Sequence, residues 1–169
     1  MVSQSQMRLN IFLLLIAALV CFAVFSVAGS ASQQTAQTDA ASSHSVVKPD
    51  GLKWGPFIGP SQMALVSGDP SQAGPFVVRI KSPAGTVIAP HWHPTDENLT
   101  VLEGKFGIGT GDAFDPSKLT VMERGDFTEM PGKMHHFAKA ITDTVVQIHG
   151  IGPFAVTFVN PADDPRQKQ

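Results

Sequence analysis

The segment from Gly85 to Gly104 reads GTVIAPHWHPTDENLTVLEG, with His91 and His93 one residue apart and Glu97 shortly after them. Strand side chains alternate between faces, so on a strand His91 and His93 project to one side and Trp92 to the other. After a short turn through Pro94, Thr95 and Asp96, Glu97 opens the next strand and can return a carboxylate to the same point. A third nitrogen is offered by MPGKMHHFAKA, where His135 and His136 follow a Pro-Gly turn and open another strand. Three imidazoles and one carboxylate suit one divalent first-row ion, with positions left free for water, oxygen or substrate. Mn, Fe, Ni and Zn all fit that donor set.

These intervals resemble the first motif of the cupin superfamily, G(x)5HxH(x)3E(x)6G, at every specified position from Gly85 through His91, His93 and Glu97 to Gly104. The second cupin motif, G(x)5PxG(x)2H(x)3N, is met in part. Gly125 and Pro131 are in place, Gly132 comes one position early, and Ala140 stands where the asparagine belongs. Counting from the proline selects His136, counting from the glycine selects His135, and His136-Phe137 is similar to the histidine-aromatic pair usual in the family. The resemblance spans roughly Phe76 to Val159. It implies a jelly-roll barrel holding an ion on His91, His93, Glu97 and His136, with a homodimer as the expected assembly.

The elements that must position these residues are short and numerous. Turn residues bound strand-like runs at Phe76–Lys81, Thr86–His91, Asn98–Leu102, Lys105–Gly109, Leu119–Met122, Asp126–Met130, His136–Lys139, Thr144–His149 and Phe154–Val159. Beyond the leader described below, no stretch has helical periodicity, and only Asp115–Leu119 has room for one helical turn. The fold class is therefore all-β, a double-stranded β-helix or jelly roll over residues 76–160. Glu103-Gly104 is expected to form a tight hairpin, the glycine taking a positive φ. GIGTGD, residues 107–112, has the wrong spacing for a phosphate loop and lies between strands, so its glycines are read as packing positions at the barrel wall.

Residues 1–31 read as a signal peptide: Arg8 precedes an apolar run from Leu9 to Ala28, and VAGSAS follows. The alternative is a retained membrane anchor. Residues 32–46 form a polar spacer without periodicity. Residues 47–75 are an arm rich in Pro and Gly whose Trp54, Phe57 and Ile58 are too apolar to hang free, and residues 161–169 are a tail. The expected setting is export to the periplasm or the medium, with no membrane attachment after cleavage. The formal net charge of −2 includes no basic stripe, which excludes nucleic acid as a partner. The single cysteine, Cys21, lies in the leader and there is no tyrosine, which excludes a cysteine-tyrosine cofactor.

The partner left is a small molecule. Gln147 and His149 alternate in VVQIHG and would line the pocket if that face is the interior, and an inward Arg79 would clamp a carboxylate. The function that follows is a metal-dependent enzyme, an oxygenase, isomerase or decarboxylase acting on a small polar or carboxylated molecule, with His149 or the spare His135 as catalytic proton carrier. Export weakens the case for Fe(II) and favours Mn or Zn. The alternative is a module that uses the ion to bind or sense a small molecule without turnover. A general base close to the free metal positions favours the enzyme, and an apolar pocket without one favours the module.

Overall fold

A computed structural model describes residues 44–168; the leader expected at 1–31 and the spacer as far as residue 43 lie outside the described residues. From Ser45 onward the chain is one compact unit. It carries eleven strands: β1 (Gly55–Pro56), β2 (Gln62–Ser67), β3 (Gly74–Ser82), β4 (Val87–Trp92), β5 (Glu97–Glu103), β6 (Phe106–Thr110), β7 (Thr120–Met122), β8 (Phe127–Met130), β9 (His136–Ala140), β10 (Thr144–Gly152) and β11 (Thr157–Phe158). Six form one sheet in the order β1-β2-β3-β10-β5-β8, and five form a second in the order β11-β4-β9-β6-β7, the two faces making a jelly-roll barrel. Every pairing between these strands is antiparallel.

Alternation along each strand builds the interior. In the first sheet Val78 stands opposite Ile148, which stands opposite Leu99, while Ile80, Val146 and Val101 form the adjoining layer. Phe106, Met122 and Ala138 complete the core from the second sheet and Met130 from β8. Each fully buried side chain of this kind contributes about 1.5–3 kcal/mol of transfer free energy.

Two turns carry the geometry. Gly104 closes the hairpin after β5 with φ +76°, and a Cβ there would collide with the carbonyl oxygen of Asp143. The residues after β6 contain a single 3-10 turn at Pro116–Lys118, capped by Asp115 accepting from the Ser117 amide at 2.9 Å. Gly109, within the GIGTGD run, faces the ring of the fully buried Phe137, which occupies the space a side chain would need.

The expected run Phe154–Val159 pairs only at Thr157–Phe158, because Phe154 to Val156 pass along the cavity outside any ladder. In the arm, Ile58 is buried and the ammonium of Lys81 sits 4.6 Å above the Trp54 ring.

Candidate metal centre

The first-motif residues arrive by strand geometry with one irregularity. β4 loses register against β9 between Ile88 and His91, where Pro90 has no N–H to give the ladder. Beyond this bulge His91 pairs directly with His136 across the sheet, so the two imidazoles start from adjacent backbone positions. Trp92 takes the opposite face and His93 returns to the interior, while Glu97 opens β5 on the same face as Leu99 and Val101. All four side chains are buried, each at 6% exposure or less.

The imidazoles are held by the backbone. His91 Nδ1 lies 2.8 Å from Ala89 O, His93 Nδ1 2.8 Å from Ala155 O, and His136 Nδ1 2.9 Å from Met134 O. A carbonyl only accepts, so each Nδ1 must be the donor, and each neutral ring then offers its Nε2 lone pair. The three ligand atoms lie within 4.8 Å of one another. Glu97 Oε2 stands 3.2 Å from His136 Nε2 and 3.4 Å from His93 Nε2, yet both of these buried nitrogens lack a hydrogen-bond partner. Lone pairs facing a carboxylate repel unless a proton or a metal cation lies among them.

A divalent metal fits this requirement. Two donors at about 2.0–2.2 Å from one ion are separated by roughly 3 to 3.5 Å, the spacing found between Glu97 and its two imidazoles. The supports fit as well, since each of the three histidines has its other ring nitrogen fixed on a carbonyl. Phe154 stacks on His93 with centroids 4.2 Å apart, and Phe158 lies 6.0 Å from His91. Burial pushes the His91 imidazole down to about 3, with His136 and His93 adding to the effect. Burial raises the Glu97 carboxyl, but positive charge on His136 and His93 outweighs it and brings it down to about 2, a role a metal cation would fill when those rings are neutral. Both groups are therefore in their metal-binding protonation states at neutral pH.

The cluster lines a cavity of about 330 Å³. Its walls are mostly apolar, including Met63, Val78, Ile80, Leu99, Phe106 and Ile148, and the polar groups other than the cluster are Ser61, Ser82 and Arg166.

Four expected residues stand elsewhere, which corrects their proposed roles. Within β10 the inward positions are Thr144, Val146 and Ile148, so Gln147 and His149 face outward. Arg79 is opposite Gln147 and donates to it through Nε at 3.1 Å on that outer face. His149 is exposed beside the Phe127 ring. His135 has the opposite parity to His136 and pairs at the surface with Asp112, Nδ1 to Oδ1 2.6 Å. None of them supplies a proton carrier or a carboxylate clamp to the cavity.

Arg166 is a cavity-lining residue that the sequence did not single out. Its guanidinium is held by Asp164 through Nε at 2.7 Å and Nη2 at 2.8 Å, donates to Val156 O at 3.0 Å, and lies 5.7 Å from the Phe158 ring centroid. It is a half-exposed cation at the cavity wall. The only sequence signal was Asp164 two residues earlier, in a tail without periodicity.

Comparison with solved structures returns the same fold. An RmlC-like cupin from Shewanella frigidimarina is similar at 18% identity, over 63% of this chain and 89% of its own, with a TM-score of 0.52. KdgF from a Halomonas species is similar at 21% identity, over 68% and 94%, with a TM-score of 0.51. The polyketide cyclase RemF from Streptomyces resistomycificus is similar at 16% identity, over 74% and 92%, with a TM-score of 0.57. No curated protein matches the sequence. The family model for the ChrR cupin-like domain matches residues 42–155. Two antiparallel sheets closed around an inward histidine cluster, and a family match over most of the chain, make this protein a member of the ChrR cupin-like family within the cupin superfamily.

Proposed function

We propose that the chain holds one divalent ion on His91, His93, His136 and Glu97 and uses it to bind a small, largely apolar molecule without turning it over. The observation that carries this reading is the surroundings of the cluster. Around the cavity, among the described residues, the polar side chains besides the cluster are Ser61, Ser82 and Arg166, and none is a base suited to proton transfer near neutral pH. His135 and His149, the candidate proton carriers, point away from it. When bound, the ion would supply Lewis acidity to a polar group of the ligand. The chain's own residues orient the donors through the carbonyls of Ala89, Ala155 and Met134, and surround the ligand with apolar wall.

The second reading is an enzyme in which His91, His93 and His136 would hold the ion and Glu97, the one buried carboxylate lining the cavity among the described residues, accepts a proton. We extend the proposal to the setting: export, with a mature mass shorter by a leader of up to about thirty residues, and assembly as a homodimer, checked by mass spectrometry and light scattering.

The test is to purify untagged protein from its own compartment, measure its metals, and extract whatever small molecule accompanies it. About one metal per chain and a recovered ligand that survives prolonged incubation with the protein support the binding reading. Conversion of that ligand by wild-type protein but not by Glu97→Gln would establish the enzyme instead.

A further inference from the structure

The cavity has a second polar point far from the histidines. Ser61 Oγ and Ser82 Oγ are 2.8 Å apart, the residues are 3% and 5% exposed, and both line the cavity. They form a cross-strand pair one step beyond Gln62 and Lys81, with Ser82 on the inward face of β3 along with Phe76, Val78 and Ile80. Two hydroxyls carry two protons, and their mutual bond uses one. Among the described residues the pair makes no other hydrogen bond through its hydroxyls, so one O–H remains to be satisfied at the cavity surface.

Strand register places this pair at the opposite end of the barrel from the metal cluster. His149 pairs with Asn98 and with Val77, so Glu97 stands at the level of Phe76. Ser82 is six residues further along β3, roughly 20 Å of strand. The two layers between them are Val78, Leu99 and Ile148, then Ile80, Val101 and Val146. The lining thus runs from charged and ligating, through apolar, to hydroxylic.

We propose that Ser61 and Ser82 form a second recognition site that reads a hydrogen-bonding group at the far end of an elongated ligand, an unbranched medium-length chain polar at both ends. This rests on the metal-dependent binding reading, which supplies the partner for the near end. A buried hydroxyl pair left unsatisfied by an all-apolar tail disfavours such a tail, while a terminal hydroxyl accepts from the free serine proton and restores the bond.

The test uses the full chain loaded with zinc and titrated by calorimetry with decanoate and with ω-hydroxydecanoate. The hydroxylated acid is expected to bind about five- to tenfold more tightly. Ser61→Ala and Ser82→Ala should each reduce that ratio to near one, and Ser82→Thr, which keeps the hydroxyl, should retain a preference. Zinc stoichiometry of each variant reports whether it has folded, and a variant that has not is replaced by the other alanine variant. Equal affinity of wild type for the two acids, a preference that survives both alanine variants, or binding of neither acid to zinc-loaded protein overturns the inference. Failure of wild type to take up zinc is seen before any acid is added and overturns the metal reading instead.

Discussion

An imidazole whose Nδ1 is committed to a carbonyl has only its Nε2 to offer, and in this protein three such rings present it to one buried point beside a carboxylate. Removing one ligand should therefore cost far more than removing a support. His93→Ala is expected to lower metal affinity by more than about a hundredfold, read by competition with a chromophoric chelator. His136→Ala should behave likewise, whereas His135→Ala, which disrupts only the surface pair with Asp112, should stay near wild type. Equal losses in the last two would contradict the assigned parity.

Acid should destabilise the metal-free protein with a definite sign. Burial holds folded His91 down to about 3 against an ordinary 6.5, so on acidification the unfolded chain takes up this proton first. The stability from His91 is complete above pH 6.5 and declines as pH falls toward 3; Glu97 adds a loss between 4.5 and about 2. Between pH 7 and pH 5 a loss of about 1–2 kcal/mol is expected in urea unfolding, and a gain would contradict the buried neutral imidazole. The shared face of His91, His93 and Glu97 was legible in the sequence from their spacing, while His136 over His135 rested on the count from Pro131 and the neighbouring Phe137. The face taken by Gln147 and His149 was not legible, since Val145 and Val146 are both apolar and the ladder to β5 shifts register between them, leaving the phase of β10 undecided. The outward turn of Arg79 follows from the same phase, because it pairs with Gln147.

At the level of the element, turns set the register that brings β4, β5 and β9 to a common centre. Gly85 and Gly104 frame the first motif, with φ of +85° and +76°, but only Gly104 is crowded. Gly85→Ala should cost about 1–2 kcal/mol for the left-handed backbone. Gly104→Ala should cost more, because the new Cβ also meets Asp143 O and Thr142 Oγ1. Chemical denaturation of the two variants gives the order, and a milder Gly104→Ala would show that the hairpin relaxes. Strand number and hairpin position could be read from alternation and turn residues. The length of β11 could not, because it depends on which residues β4 has free to pair and on the path of Phe154 to Val156 beside His93.

For the whole molecule, the two sheets enclose space as well as a core. The sequence pointed to a small polar or carboxylated ligand, and the walls, mostly Met, Val, Ile, Leu and Phe, differ in adding an apolar middle. That difference arises because the inward apolar residues of a strand look the same in sequence whether they touch one another or line a cavity. The position of Arg166 was equally hidden, being fixed by Asp164 and Val156 after the last strand. Because the ion would join both sheets through β4, β5 and β9, it should stabilise the folded state as a whole. At a hundredfold excess over its dissociation constant it should add about 2.7 kcal/mol, read as a rise in melting temperature that a chelator reverses.

X-ray absorption at the metal edge of the fully loaded chain looks at the four donors themselves. A first shell at about 2.0–2.2 Å, with the multiple-scattering signature of three imidazoles and one oxygen lost on Glu97→Gln, is the expected result. A shell with fewer than three imidazoles, or one unchanged in His93→Ala and His136→Ala, would contradict an ion held by His91, His93, His136 and Glu97.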